Sequence, residues 1–322
     1  MKVSAPAKII LFGEHFVVYE NPAILAAINR RINIDIKINK KVKKIDINSN
    51  LINKSKSSFN LTGNSTYEKN ENFDPVINIL RVFLDKNPRL DFGLKINIDS
   101  QIPVGIGLGS SAALCVALSG AINSLFDNYN IELILDQSIK AERFIHLNSS
   151  GADCVVSANG GLILYQKNKG YQEIKIKEPL CFVIINSRIK HSTWDMVQKV
   201  KEFRSSNISE FNKIINEARE ICENGVIALR KGNYEKIGHL MERNQILLEK
   251  IGVSNNILNK IIRNCRKEGT LGTKLTGAGG GGSIINLIKK EDRNKFVRKM
   301  REYSYEIVPV EIDTEGMKYI KT

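Results

Sequence analysis

The chain has 322 residues, of which 42% are hydrophobic and 25% charged, with a net charge of +14. That length suits two domains or one large one, and the balance excludes collagen-like, disulfide-rich and wholly disordered classes. The positive charge suits polyanions such as nucleotides or nucleic acid, but it is spread over the chain; even the lysine-rich stretch 37–56 lacks the interleaved aromatics of single-strand binders and reads as a solvated surface.

The first third reads as strands. The run Ile9–Phe12 ends at Gly13, and Ile32, Ile34, Ile36 and Ile38 alternate with polar residues as in a half-buried strand. Residues 48–72 are polar and patternless, a long loop or frayed hairpin. Val76, Ile79, Leu80, Phe83 and Leu84 have helical spacing, and Phe92, Leu94, Ile96 and Ile98 alternate as a second strand. Leu114–Phe126 predicts an apolar helix, and Ile131–Leu147 an amphipathic one. Strands follow at 160–165 and 180–185. Helices are expected over 209–231, 234–250, 255–268 and 292–303, an apolar run stands at 284–288, and a last strand is expected over 306–312. The pattern is α+β, with a division near Lys167–Gly170 giving units 1–170 and 171–322. No stretch reaches 18 apolar residues, so no membrane partner is expected. Five cysteines without a CxxC pair argue against a disulfide framework or zinc site and read as small buried hydrophobes.

Four features carry chemistry. In Gly105-Ile-Gly-Leu-Gly-Ser-Ser111, three alternate glycines sit between a strand and a helix. Glycine permits positive φ and close backbone approach, and the free N–H groups of a helix start attract an anion. No GKS or GKT follows, so this is not a Walker loop. Gly277-Ala-Gly-Gly-Gly-Gly282 holds more glycine than a turn requires, and its apolar flanks argue against a linker. Pro6-Ala-Lys-Ile-Ile-Leu-Phe-Gly-Glu-His15 places Lys8 in an apolar strand and Glu14 and His15 after a glycine; alone, these read as structural or solvent-facing. Glu142 and Asp153 are joined through a Ser/Gly turn able to return both carboxylates to one place, one for a metal and one as a base. Taken alone, they read more simply as a helix surface charge and a turn aspartate.

Together, in order and spacing, these features resemble the signature motifs of the GHMP kinases (galacto-, homoserine, mevalonate and phosphomevalonate kinases). The matching runs are PAKIILFGEHFVVY, IPVGIGLGSSAA and KLTGAGGGG. GEHFVVY with Asn21-Pro-Ala23, and Glu142 through Ser150-Gly-Ala-Asp153, resemble the mevalonate kinase branch of short archaeal and bacterial type. The resemblance implies a two-domain fold, ribosomal-protein-like then ferredoxin-like, with the site between. It implies ATP held by Pro103, Val104, Gly105, Ile106, Gly107, Leu108, Gly109, Ser110, Ser111, Ala112 and Ala113. It implies Mg²⁺ on Ser111 and Glu142, Asp153 as base, and Lys8 beside Asp153. Mevalonate is implied as the substrate, against Lys8, Glu14, His15, Asp153, Thr276, Gly277, Ala278 and Gly279. A cytoplasmic enzyme without nucleic acid is implied, as a possible homodimer. The alternatives are another GHMP small-molecule kinase or a basic nucleic-acid binder on a degenerate kinase fold. One departure is Ser149, where many relatives have proline, a change expected to loosen the loop carrying Asp153.

Overall fold

The structure is a computed structural model, and it describes residues 1–50, 55–60, 74–84, 92–103, 105–145, 149–190 and 192–320. In chain order the elements are β1 (Lys2–Phe12), β2 (Ala23–Asn39), β3 (Lys44–Ser49), β4 (Ser55–Asn60), α1 (Asp74–Leu84), β5 (Gly93–Ser100), α2 (Ser110–Ser124), α3 (Ile131–Ile145), α4 (Ala152–Asn159), β6 (Leu162–Gln166) and β7 (Gly170–Glu173). There follow β8 (Cys181–Asn186), α5 (Thr193–Ser206), α6 (Ile208–Lys231), α7 (Tyr234–Lys250), α8 (Asn256–Lys267), β9 (Gly272–Thr276), β10 (Ser283–Ile288), α9 (Arg293–Glu302), β11 (Glu306–Glu311) and β12 (Lys318–Ile320).

The first sheet has the order β12-β1-β2-β5-β3-β4, with β6 on the early part of β2 and β7 on β6. All its pairings are antiparallel except β3 with β5. Pro6, which cannot donate to a ladder, stands at a register shift between β1 and β2. Ile32, Ile34 and Ile36 point inward, as their alternation predicts. Residues 23–28 extend this strand further back than the alternation shows, because every residue there is buried. Ile24, Ala26 and Ile28 join the main core, whereas Ala23, Leu25 and Ala27 pack with Val155 and Val156 of α4. A strand covered on both faces shows no alternation. Helix α2 is buried from Ala112 to Ser124 and packs against β1, β2, α1, α3 and α4. Apolar on all sides, it is the axial helix of this half.

The second sheet has the order β11-β8-β10-β9, all antiparallel. Renumbered within this half, that is 4-1-3-2 with helices after its first and third strands, the split βαβ arrangement of ferredoxin-like folds. Helices α6 and α7 meet at Gly232, which has φ of 70°, and Asn233 caps α7 by accepting from the Lys236 N–H at 2.9 Å. The turn at 167–170 joins β6 to β7 within the first sheet; the chain passes to the second sheet over 174–180. After β11 it returns, and β12 pairs with β1. Arg31 ties this return down through an ion pair with Asp313 and a hydrogen bond to Ser4 Oγ at 2.8 Å. All five cysteines are buried and free. Of the stretch 48–72, expected as a long loop or frayed hairpin, residues 48–49 end β3 and 55–60 form β4, which pairs with β3 antiparallel in line with the second alternative; the remainder, apart from Asn50, lies outside the described residues.

Candidate active site

The loop before α2 owes its shape to its glycines. Gly105, Gly107 and Gly109 all have positive φ, and Gly109 caps the helix that begins at Ser110. The first-turn N–H groups of this helix point outward with the positive end of its dipole, a seat for a polyanion. Ser110 and Ser111 are half-buried in that turn. The loop is fastened on two sides: the Lys8 N–H donates to Leu108 O at 3.0 Å, and Ser283 Oγ donates to Ile106 O at 2.7 Å. Ile106, Leu108, Ala112 and Ala113 have buried side chains, so only their backbone is available to a ligand. Val104 lies outside the described residues.

Beneath the loop, Lys8 Nζ lies 2.9 Å from Asp153 Oδ2. The lysine side chain is 4% exposed and the carboxylate 29%, so the open side of the pair is the aspartate. Gly151, with φ of 85°, starts α4 and sets Asp153 in its first turn. Glu142, late on α3, is buried. Burial, then the neighbouring Asp153 charge, push its carboxyl up to about 7. Two donors converge on its Oε2: Ser149 Oγ at 2.5 Å and Cys154 Sγ at 3.5 Å. Ser149 Oγ also accepts from the Gly151 N–H at 3.2 Å. The serine therefore anchors the stretch it was expected to loosen; 146–148 lie outside the described residues.

The third glycine run comes in from the second sheet. Thr276 Oγ1 accepts from the Ile10 N–H at 2.9 Å and donates to Ile10 O at 3.1 Å. His15 Nε2 donates to Ala278 O at 2.8 Å. Burial lowers the His15 pKa to about 4, so the ring is neutral at pH 7. Glu14 is fully buried; it pairs with Lys274, equally buried, and accepts from Asn244 Nδ2 at 3.2 Å. Burial raises the Glu14 pKa and lowers that of Lys274, and the charge of each partner opposes the other's shift. Glu14 thus spends its carboxylate on joining the two halves of the molecule, not on the open cleft.

Of the expected residues, the fold brings together Lys8, Asp153, the 105–111 loop, His15 and 276–279. Glu142 stands close enough to Asp153 for like-charge repulsion. Sequence reasoning missed Lys274 and Asn244. The signal for Lys274 was a lone lysine in the short strand directly before the glycine run. Asn244 carries none, being one polar residue in an amphipathic helix. The residues present suit a magnesium ion in kind: Ser111 and Glu142 are hard oxygen donors, and a ligand phosphate would complete the set. Among the described residues no cluster of three His, Cys, Asp or Glu gathers to hold a metal unaided.

Residues 74–161 match the model of the GHMP kinase N-terminal domain, and 226–306 that of the GHMP kinase C-terminal domain. The chain belongs to the GHMP kinase family. It is 34% identical over 334 residues to a mevalonate kinase of Pyrococcus furiosus, covering 99% of this chain and 98% of that one. A mevalonate kinase of Thermococcus gammatolerans is 37% identical over 303 residues, covering 88% of each. Among solved structures, the L. major mevalonate kinase in complex with R-mevalonate superposes with a TM-score of 0.85 at 27% identity, covering 98% and 97% of the two chains. The Methanococcus jannaschii mevalonate kinase gives 0.85 at 28%, covering 97% and 98%. The two-domain kinase fold is therefore this chain's own. Among the described residues, no helix of this kinase is long and apolar enough to cross a membrane.

Proposed function

We propose that this kinase transfers the γ-phosphoryl group of ATP to the 5-hydroxyl of (R)-mevalonate, giving 5-phosphomevalonate and ADP for isoprenoid synthesis. The observation that carries this reading is the Lys8–Asp153 pair, its carboxylate open and its lysine enclosed, set against the N-terminus of a buried helix. Phosphoryl transfer asks a protein for positioning and charge neutralisation. The backbone N–H groups of the 105–111 loop receive the phosphate chain. Asp153 accepts the proton of the attacking hydroxyl, so the oxygen gains a bond to the γ-phosphorus as the bond to the β-phosphate oxygen breaks. Lys8 pairs with Asp153 at 2.9 Å and meets the charge spread over the transferred group. Ser111 and Glu142 would hold Mg²⁺, which when bound would supply charge neutralisation to the phosphates. His15 and residues 276–279 wall the acceptor side. The relatives from Pyrococcus furiosus and Thermococcus gammatolerans, both mevalonate kinases by name, support this reading. The same reading makes the protein a cytoplasmic enzyme of small molecules, with a homodimer the family expectation, checked by sedimentation.

The deciding experiment is ³¹P NMR of the products from purified protein, Mg·ATP and mevalonate. A new phosphomonoester coupled to the C5 methylene protons is expected. A phosphate on the tertiary C3 oxygen, or no new ester while ATP binds, overturns the assignment and directs attention to phosphomevalonate and sugar alcohols.

A further inference from the structure

The three glycines of the phosphate loop have almost the same backbone, with φ of 75° at Gly105, 79° at Gly107 and 72° at Gly109. They differ in what stands beside them. A Cβ at Gly105 would meet nothing within 4 Å. At Gly107 it would meet Thr276 O at 3.3 Å and Gly277 Cα at 3.9 Å. At Gly109 it would meet Lys8 itself: Cγ at 2.7 Å, Cε at 2.8 Å and Cδ at 3.3 Å. Real Cβ atoms essentially never come closer than 3.0 Å to a neighbour. The lysine stem therefore runs through the volume that any side chain at 109 would take. Nor is the stem free to step aside. Lys8 is 3% exposed, its N–H is bound to Leu108 O at 3.0 Å, and its Nζ is bound to Asp153 at 2.9 Å. It is held at both ends.

We infer that Gly109 is a positioning residue for Lys8: its missing side chain is the channel along which the lysine reaches Asp153. The three glycines then divide the work. Gly105 faces the open side, where a ligand comes. Gly107 seats the third glycine run. Gly109 houses the lysine. The catalytic consequence rests on reading Lys8 and Asp153 as the reacting pair; the packing consequence does not.

The test compares Gly109→Ala with Gly105→Ala, each alone and combined with Lys8→Ala. Both alanines meet the same positive-φ strain, so the Gly105 variant isolates it. Expected first is a drop in melting temperature of the ligand-free protein that is larger for G109A than for G105A. That excess disappears in the Lys8→Ala background, where the colliding stem is gone. Expected second is a fall in kcat of about 10²-fold for G109A, the cost of a misplaced catalytic group, with KM for ATP little changed. In the Lys8→Ala background, the fall in kcat caused by G109A is much smaller than in the native background. G105A behaves additively with Lys8→Ala and acts on KM for ATP. An equal melting penalty for G109A in both backgrounds overturns the inference, as does a G109A effect confined to KM for ATP. If G109A alone does not fold, Lys8→Ala/Gly109→Ala recovers folded protein; failure of both overturns the inference. Normal turnover in Lys8→Ala alone removes Lys8 from the chemistry, and the melting comparison still reports the packing separately.

Discussion

Asp153 is the exposed member of a close pair, and that asymmetry fixes what its removal does. Asp153→Asn keeps the shape and loses the proton acceptor, so kcat should fall by about 10²–10⁴-fold in a protein that still folds. Lys8→Met should lower kcat as well, because the cation paired with Asp153, which meets the charge on the transferred group, is then lost. Steady-state kinetics on both variants checks this, and near-normal turnover of Asp153→Asn removes it as the base. His15 gives a prediction in pH. Its pKa is about 4 in the folded chain against 6.5 when exposed, so the unfolded state takes up a proton first as pH falls. Stability is lost between pH 6.5 and 4 by at most about 3 kcal/mol, and is intact above 6.5. In His15→Gln, which can still donate to Ala278 O, that part of the pH dependence of the melting temperature should vanish. At this scale the site was legible as residue types: lysine, glutamate, aspartate and glycine in a known order. Orientation was not. Glu14 follows a glycine just as His15 does, but only the three-dimensional partner, Lys274, shows that its charge is consumed inside.

Elements were legible where one face is wet. Helices α6, α7 and α8 start and stop within a residue or two of their periodic patterns, helped by Gly232 and Asn233. The early part of β2, buried on both faces, and β9, an inward-facing strand of five buried residues, show no period to read. Helix α4 is only eight residues and hides between two loops. Close approach of elements is equally silent in sequence. Gly238 in α7 lies against the turn before β9, where an added Cβ would stand 2.0 Å from Leu271 O. Backbone on that side cannot rotate away as a side chain can. Gly238→Ala should therefore cost about 3 kcal/mol, against a gain of up to about 1 kcal/mol for an alanine at an unhindered helical glycine. Urea unfolding measures it as a shift in midpoint at constant slope.

For the whole molecule, the first and third glycine-bearing segments are one structure rather than two. Glu14–Lys274, Ile10–Thr276 and His15–Ala278 cross between the sheets within a few residues of one another. Helix α6 adds to the junction: a Cβ at Gly225 would stand 2.8 Å from Phe12, and Arg219 reaches Asn21 Oδ1 at 3.2 Å. Lys274→Met leaves Glu14 buried without its partner and should cost about 3–5 kcal/mol. Glu14→Gln with Lys274→Met should recover much of that loss, since no buried charge remains. Chemical denaturation of the three variants closes the cycle. The two-domain plan was readable from length and motif order, but its seam was not. The polar turn at 167–170 looks like a linker in sequence and is a hairpin in the sheet. The three-residue β12 is too short to carry a period, so nothing in the pattern announces that the chain comes home to β1.

That return has a consequence in time. Lys2 leaves the ribosome 318 residues ahead of its partner Ile320. At about 5–20 residues per second, tens of seconds separate them. Throughout that interval the outer edge of residues 2–4 has no neighbour and the Arg31 guanidinium no Asp313, on the very strand that presents Lys8. An unpaired strand edge is a template for other chains. The newborn protein is thus most vulnerable at the strand that holds its reactive lysine, and residues 313–320 act as the latch that ends the exposure.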